Sequence, residues 1–187
     1  DFCLSRGLGD VYKRQAEECR QRIAQGTLAP AGTGRGHAVA VREGTRSDHI
    51  QWLEAGQSPA CDGYLQLLDE LRVAINQSLY LGLVDYESHF AFYPPGGFYL
   101  KHLDRFRDDD RRAVSAVLYL NDGWQAEDGG QLRLYLADGQ VRDVLPEAGT
   151  LVVFLSADIP HEVLPASRDR LSLSLIHISE PTRQAEI

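Results

Sequence analysis

The hydrophobic pattern of this chain changes period near Ser88, and this change limits the folds open to it. Ahead of Ser88, apolar residues recur at helical spacing and predict a long amphipathic helix. They are Tyr64, Leu68, Leu71, Ile75 and Leu79. Ser58 and Pro59 provide an N-cap and first-turn pair for this helix. After Ser88, apolar and polar residues alternate in short runs, which is typical of strands.

Turns rich in glycine and proline divide the second part of the chain into short segments. Strands are expected at 88–93, 98–104, 113–121, 131–136, 140–144, 149–155 and 161–165, with one more after Arg170. One or two helices followed by about eight short strands predict a mostly β (α+β) fold. We expect a double-stranded β-helix, that is, a jelly roll similar to the cupins, backed by N-terminal helices.

The region before the long helix has a weaker pattern. A helix is expected at 16–25, a strand at 37–42 (HAVAVR) and an exposed polar loop over 42–54. No internal repeat or linker divides the chain, and 187 residues suffice for one domain with a substantial core.

Charge and cysteine usage exclude several classes of function. The formal net charge of −8 argues against a nucleic-acid partner, which would select a basic surface. No apolar run is long enough to cross a bilayer, and no signal peptide is visible. The three cysteines are scattered without a CxxC spacing, which favours a cytoplasmic location over a disulfide or zinc–thiolate framework.

The two ends of the chain look foreign. One choice of codons for residues 1–15 is the reverse complement of valid codons for residues 173–187. The shared sequence resembles a transposon-end sequencing adapter translated in both directions. We therefore expect 1–15 and 173–187 to be adapter-derived tails, and 16–172 to form a single domain cut at both ends. The alternative is a genuine tail at each end.

A candidate metal site begins in the segment FYLKHLDRF. His102 and Asp104 stand two residues apart, so on a strand both side chains point to the same face. His161 follows an apolar strand and is the candidate third ligand. Two imidazoles and one carboxylate suit non-haem Fe(II) with positions left open, whereas zinc would favour tetrahedral closure, often with thiolates. The alternative is that these histidines are ordinary core or surface residues.

A candidate anion site follows nine residues after His161, at Arg170. A buried guanidinium needs an anionic partner, and a ligand carboxylate beside the metal would supply one. Tyr119 could donate a second hydrogen bond to that carboxylate. The alternatives are a surface salt bridge of Arg170 with Asp169 or another neighbour, and ordinary core packing of Tyr119.

Together these features resemble the 2-oxoglutarate- and iron(II)-dependent prolyl hydroxylases, in particular the hypoxia-factor (Egl-nine) branch and its bacterial relatives. The segments that carry the resemblance are YPPGGFYLKHLD, RRAVSAVLYLNDGW, GGQLRLY, GTLVVFLSADIPHEVLPA and RDRLS, within residues 35–172. The resemblance implies a dioxygenase that uses Fe(II), 2-oxoglutarate and O2, with ascorbate as a candidate reductant. It implies 4-hydroxylation of a proline in a protein loop, with elongation factor Tu as a candidate target.

The resemblance also implies roles for individual residues. The iron ligands would be His102, Asp104 and His161. Arg170 and Tyr119 would hold the far carboxylate of 2-oxoglutarate, and two further residues, Tyr93 and Tyr99, match aromatic residues that line the pocket.

Three residues match positions on the substrate side. Arg112 matches a basic residue at the substrate entrance, although it could instead pair with the acidic run 108–110. Arg46 and Asp48 lie in the segment 42–48, which matches a mobile loop that closes over the target peptide.

Other functions stay open at this point. The chain could hydroxylate free proline or another metabolite, or it could be a cupin-like metal sensor without oxygenase chemistry. The family's final strand normally carries an aromatic residue after the arginine, and here the adapter-like segment begins at Leu173. The truncated chain could therefore be inactive.

Overall fold

The computed structural model describes residues 8–32, 44–106 and 109–180. Two helices lie in the N-terminal part, α1 (Leu8–Ala24) and α2 (Pro59–Leu79), with two short strands between them, β1 (Ala29–Pro30) and β2 (His49–Trp52). The remaining strands are β3 (Leu83–Tyr93), β4 (Tyr99–His102), β5 (Arg112–Tyr119), β6 (Leu132–Tyr135), β7 (Val141–Val144), β8 (Leu151–Leu155), β9 (His161–Val163) and β10 (Arg170–Ser179).

The strands form two antiparallel sheets. The major sheet has six strands in the order β1-β2-β3-β10-β5-β8, and the minor sheet has four in the order β4-β9-β6-β7. Several neighbouring strands are distant in sequence, such as β3 and β10 or β4 and β9, as in a jelly roll. The predicted fold class, a mostly β jelly roll with N-terminal helices, is confirmed.

Helix α2 forms where the apolar spacing predicts it. The Ser58 hydroxyl accepts a hydrogen bond from the backbone N–H of Cys61 at 3.1 Å, and Pro59 occupies the first turn. One face of the helix is buried in a core that also contains leucines of β5 and β10. The helix thus covers the outer face of the major sheet and leaves the opposite face for the space between the sheets.

The central strand β10 separates these two environments by alternation. Leu171, Leu173 and Leu175 belong to the core under the helices. Arg170 and Ser172 line the cavity between the sheets. Because side chains of a strand alternate between its faces, the start of β10 presents an arginine to the interior of the jelly roll.

Three expectations need correction or lie beyond the described residues. The segment 42–54 is not entirely a loop, since His49–Trp52 forms β2 and pairs with β3. Strand β3 begins at Leu83 rather than at Ser88, because the polar residues at its start still pair with β10. The predicted strand at 37–42 lies outside the described residues.

Neither helix in the described part has an apolar stretch of the length that a bilayer crossing requires.

The adapter-like segments take part in the regular structure. Residues 8–15 lie in α1 and residues 173–179 lie in β10. His177 is fully buried there. Neither of its ring nitrogens makes a hydrogen bond of ordinary geometry, although the Leu68 backbone is close enough to stabilise the protonated ring. A buried polar ring without partners is costly, so this position is poorly matched to its core.

We expect His177→Leu to stabilise the fold by about 1–3 kcal/mol, because it removes an unsatisfied buried polar group. Burial lowers the pKa of His177 below 6.5 in the folded state. The parent should therefore lose stability as pH falls below about 6.5, the ordinary histidine pKa, since the unfolded chain then binds the extra proton more readily. Urea unfolding at pH 7.5 and pH 5.5 should show a larger advantage for the variant at pH 5.5. An equal or lower stability at both pH values would contradict this account.

Candidate active site

The register of the minor sheet brings the three predicted ligands together. In the pairing of β4 with β9, His102 stands directly opposite His161. Strand β4 ends at His102, so Asp104 lies in the bend just beyond it and not within a strand as the sequence suggested. One ligand atom from each of the three residues lies within 4.8 Å of the others.

The three side chains face one point with their ligand atoms inward. The Nε2 atoms of His102 and His161 each lie 3.6 Å from an Asp104 carboxylate oxygen. The Nδ1 atom of His102 lies 2.7 Å from the Leu100 carbonyl, and that of His161 lies 3.0 Å from the Ile159 carbonyl. Because a carbonyl accepts only from N–H, both rings carry their proton on Nδ1 and leave Nε2 free to bind a metal.

The electrostatics of the group suit a cation. Burial by itself would raise the pKa of the Asp104 carboxyl, but its two histidine neighbours and the Ser115 hydroxyl more than offset this, so the pKa lies well below the usual range. Burial lowers the pKa of His161, and the attraction of Asp104 only partly opposes it. An ionised carboxylate beside a neutral imidazole is the state in which both groups bind a metal ion.

Arg170 lies at the other end of the same cavity and is almost fully buried, with 1% of its surface exposed. Its Nε donates to the Gly130 carbonyl at 2.8 Å, and its guanidinium carbon lies 5.1 Å from the ring centres of Tyr93 and Tyr119. Within residues 8–32, 44–106 and 109–180, no carboxylate forms an ion pair with it. The alternative of a surface salt bridge with Asp169 is therefore wrong.

The Tyr119 hydroxyl is the second polar group at this end. It is buried and makes no hydrogen bond to any described residue, although the Arg170 guanidinium is close. Burial raises the pKa of Tyr119 to about 12, so the hydroxyl keeps its proton and can donate. Its ring also packs in the core between the sheets, so packing and donor roles coexist in this residue.

A single cavity of about 430 Å³ joins the histidine–carboxylate group to Arg170. Apolar side chains, among them Ile50, Val117, Leu132 and Val163, form part of its wall, together with the hydroxyls of Ser172 and Ser174. The cavity thus offers three metal-binding groups at one end and an unpaired cation with a hydroxyl donor at the other. This arrangement fits a short dianion that reaches from a metal to the arginine.

Comparison with known proteins agrees with this geometry. The profile of the 2OG-Fe(II) oxygenase superfamily matches residues 88–176. A prolyl-4-hydroxylase from Pseudomonas putida is 59% identical, with 92% of this chain and 88% of that chain covered and a TM-score of 0.84. The chain belongs to the 2OG-Fe(II) oxygenase superfamily.

Two further proteins to which the chain is similar are prolyl hydroxylases of animals. A Trichoplax adhaerens prolyl hydroxylase, in complex with a peptide fragment of the hypoxia-inducible factor oxygen degradation domain, is 27% identical with a TM-score of 0.80, covering 91% of this chain and 79% of that one. The hypoxia-inducible factor prolyl hydroxylase of Caenorhabditis elegans is 29% identical over 93% of this chain. The chain spans about a quarter of the length of this nematode relative, 26%.

The superfamily uses Fe(II), 2-oxoglutarate and O2, and the residues present fit this set of cofactors. The two imidazoles and the carboxylate form the open-sided donor set that non-haem Fe(II) prefers. The orphaned Tyr119 hydroxyl and the Arg170 guanidinium match the far carboxylate of a 2-oxo dicarboxylic acid.

Tyr93 and Tyr99 both line the cavity of this oxygenase. Tyr93 lies against Arg170, as described above. Tyr99 stacks on His102 with ring centres 3.6 Å apart and planes at 15°. Tyr99 therefore limits the rotation of one predicted iron ligand, while Tyr93 supports the arginine.

Arg46 and Asp48, which lie in the segment predicted to be a mobile loop, pair with each other. Arg46 donates two hydrogen bonds to Asp48, through Nε at 2.7 Å and Nη2 at 2.5 Å, and its guanidinium carbon lies 4.3 Å from the Tyr99 ring centre. Asp48 is buried, so its carboxylate holds Arg46 at the cavity and does not itself face a peptide. The part of the predicted loop at 42–43 lies outside the described residues.

Arg112 lines the cavity, and its ion-pair partner is Glu87 on β3. Its Nη1 also donates to the backbone carbonyl of Asp104 at 3.0 Å. In the acidic run at 108–110, Asp109 pairs with the neighbouring Arg111 at 2.7 Å. Glu87 comes from a different strand, so the sequence could not indicate it as a partner of Arg112.

Several residues of the site carry no sequence signal that would have found them. His89 on β3 lines the cavity with its ring 4.8 Å from that of Trp52. Burial, followed by the influence of Arg46, lowers the pKa of His89 to about 4, so the ring is neutral. Ser115 and Gly130 contact Asp104 and Arg170, respectively, and both lie in otherwise ordinary strand or turn sequences.

We expect Gly130→Ala to weaken 2-oxoglutarate binding about tenfold or more, since it disturbs a charged hydrogen bond. Gly130 has a φ of +70°, and a Cβ there would lie 2.9 Å from Ala166 Cβ and 3.2 Å from Arg170 Cδ. Gly139→Ala is the matched control, because Gly139 has a φ of +81° but nothing within 4 Å of the added Cβ. Calorimetric titration of 2-oxoglutarate measures both variants. Equal affinities in the two variants would mean that Gly130 does not hold the arginine in place.

Proposed function

We propose that this chain is an Fe(II)- and 2-oxoglutarate-dependent prolyl 4-hydroxylase that acts on a proline in a protein loop. One observation carries the proposal more than any other. Arg170 and Tyr119 present a buried cation and a buried hydroxyl donor, without a carboxylate partner in the described part of the chain, to the cavity that holds the three metal-binding side chains. Groups buried in this way need an anionic ligand.

The roles of the residues follow from their positions. His102, Asp104 and His161 would hold Fe(II), and Arg170 with Tyr119 would bind the far carboxylate of 2-oxoglutarate. When bound, the iron supplies the activation of O2 that couples decarboxylation of 2-oxoglutarate to succinate with hydroxylation of the substrate. The protein orients the two reactants and excludes water.

Orientation of the 2-oxo acid is the task of the Arg170 end. The guanidinium is fixed by the Gly130 carbonyl and by two tyrosine rings, so its free N–H groups have one direction in which to donate. A guanidinium held in this geometry can form a charged hydrogen-bonded pair with a second carboxylate of the ligand. The site therefore selects a dicarboxylic acid over a monocarboxylic acid. Apolar side chains such as Leu132 and Val163 form part of the cavity wall and offer no hydrogen bonds to water there.

A proline in a protein as the substrate is supported by the relatives. The Pseudomonas putida structure is a prolyl-4-hydroxylase, and the Trichoplax adhaerens structure contains a peptide fragment. Arg46 and Arg112 line the cavity beside the metal-binding group, and we assign them, with Asp48 supporting Arg46, to the substrate side. Elongation factor Tu is our candidate target, and this choice rests on the resemblance to bacterial members of the branch.

Three further assignments accompany the proposal. Residues 16–172 constitute one dioxygenase domain, while 1–15 and 173–187 derive from an adapter. Ascorbate serves as a reductant for the iron. The protein works in the cytoplasm, in agreement with the two buried cysteines of the described residues, Cys19 and Cys61, which are both free thiols.

The direct test of the proposed function is product analysis. The full chain, with Fe(II) and 2-oxoglutarate, should form succinate and add one oxygen atom to a proline-containing peptide, which mass spectrometry locates on the proline ring. Free proline is the comparison substrate. Turnover of free proline in preference to all peptides would replace the protein target with a small metabolite, and absence of succinate with every substrate would remove the oxygenase assignment.

We expect His102→Ala to abolish peptide-dependent succinate formation, because only one imidazole and one carboxylate would then face the metal. His49→Ala is the matched control, since His49 lies on β2 and does not line the cavity. Succinate is measured for both variants under the same conditions. If His102→Ala turned over as fast as the parent, the metal assignment would be wrong.

We expect Arg170→Ala to raise the KM for 2-oxoglutarate roughly tenfold to a hundredfold, the effect of losing a hydrogen bond to a charged group. The KM for the peptide should change much less, because the arginine lies at the far end of the cavity. Arg168→Ala is the control, since Arg168 lies at the surface and pairs with Asp128 at 3.4 Å. An unchanged 2-oxoglutarate requirement in Arg170→Ala would contradict the assigned role.

A further inference from the structure

Asp104 is the least supported of the three metal-binding residues by secondary structure. His102 and His161 lie in paired strands, whereas Asp104 lies in a bend after β4. A side chain in a bend is free to rotate unless other groups hold it, and catalytic ligands need a fixed geometry. The contacts made by Asp104 therefore decide how well it is placed.

The carboxylate of Asp104 is held by two serines in series. Ser115 Oγ lies 2.6 Å from Asp104 Oδ2 and 2.8 Å from Ser156 Oγ, and both serines are essentially buried, at 1% and 0% exposure. The ionised carboxylate can only accept, so Ser115 gives its one proton to Asp104. Ser156 must then donate to Ser115, and the direction of the chain is fixed as Ser156 to Ser115 to Asp104.

The backbone of Asp104 is held by an arginine from the same strand as Ser115. Arg112 Nη1 donates to the Asp104 carbonyl oxygen at 3.0 Å. Arg112 is itself fixed by its ion pair with Glu87, and its guanidinium carbon lies 4.2 Å from the Phe106 ring centre. Strand β5 thus contacts the same bend twice, once at the carboxylate and once at the main chain.

We propose that Ser115 and Arg112 are positioning residues that clamp Asp104 in the geometry a metal requires, with Ser156 and Glu87 supporting them. The inference rests on the proposed function, because it assigns Asp104 to the metal. Ser115 occupies one lone pair of Oδ2 and leaves Oδ1 without a hydrogen bond of ordinary length to any described residue. The carboxylate is therefore presented to the metal in one orientation. Arg112 sets metal affinity through Asp104 in addition to its place on the substrate side.

The test measures metal binding without turnover. Co(II) is titrated into the full chain in the absence of 2-oxoglutarate and peptide, and binding is followed by the visible absorption of the bound ion. Ser115→Ala should bind Co(II) about 10–100-fold more weakly than the parent, the usual effect of losing an outer partner of a metal ligand. Ser115→Thr keeps the hydroxyl and should stay close to the parent.

Two control variants separate positioning from general stability. Ser88→Ala removes another buried hydroxyl, which donates to the Ser174 carbonyl at 2.9 Å, and it should leave Co(II) affinity unchanged. Arg72→Gln removes an arginine that also pairs with a carboxylate, Asp69, and donates to a backbone carbonyl, that of Leu83, but does not line the cavity, whereas Arg112→Gln removes the arginine that contacts Asp104. Only Arg112→Gln should weaken Co(II) binding.

The outcomes distinguish this inference from the proposed function. Parent-like Co(II) affinity in Ser115→Ala, or equal losses in Ser88→Ala and Ser115→Ala, would overturn the clamp while leaving the metal site intact. A parent that binds no Co(II) would overturn the metal assignment and the clamp with it. If Ser115→Ala does not fold by circular dichroism, Ser156→Ala decides: a weaker Co(II) affinity supports the clamp, and an unchanged affinity overturns it.

Discussion

The pairing of β4 with β9 is the constraint on which the site depends. It places His102 opposite His161, so two imidazoles from segments far apart in sequence share one face of the minor sheet. A shift of one residue would turn one of the rings to the other face. The carbonyls of Leu100 and Ile159 then fix both rings by their Nδ1 atoms, and this leaves both Nε2 atoms pointing at Asp104. Sheet register and ring orientation together create the metal-binding group.

The opposite end of the cavity holds a buried, unpaired charge, which is costly to the fold unless a ligand pairs with it. An unpaired buried charge costs on the order of several kcal/mol, and the interior of a jelly roll could be filled with apolar side chains instead. Arg170 is held there by a backbone carbonyl and aromatic rings, none of which neutralises its charge. The buried cation and the metal-binding group lie at opposite ends of this cavity. This separation explains why the cavity suits a molecule with a chelating head and a distant carboxylate.

The sequence predicted those features that depend on local pattern. Periods of 3.6 and 2 residues located α2 and most strands, and the residue types at 102, 104, 161 and 170 indicated the chemistry. Strand β2 was missed because four residues between polar segments carry too little alternation. The engagement of Arg46 with Asp48, and of Arg112 with Glu87, depends on side-chain geometry and inter-strand register. Ser115 and Ser156 are ordinary strand residues in sequence, and only their position beside Asp104 gives them significance.

The central claim is that one cavity holds the metal and the 2-oxo acid together. It is tested most directly by absorption spectroscopy of the full chain under anaerobic conditions. Addition of Fe(II) and 2-oxoglutarate should produce a visible charge-transfer band that neither component gives with the protein alone, and Arg170→Ala should require more 2-oxoglutarate to reach it. Binding of Fe(II) with no such band at saturating 2-oxoglutarate would show that the metal and the acid do not meet, and would contradict the account.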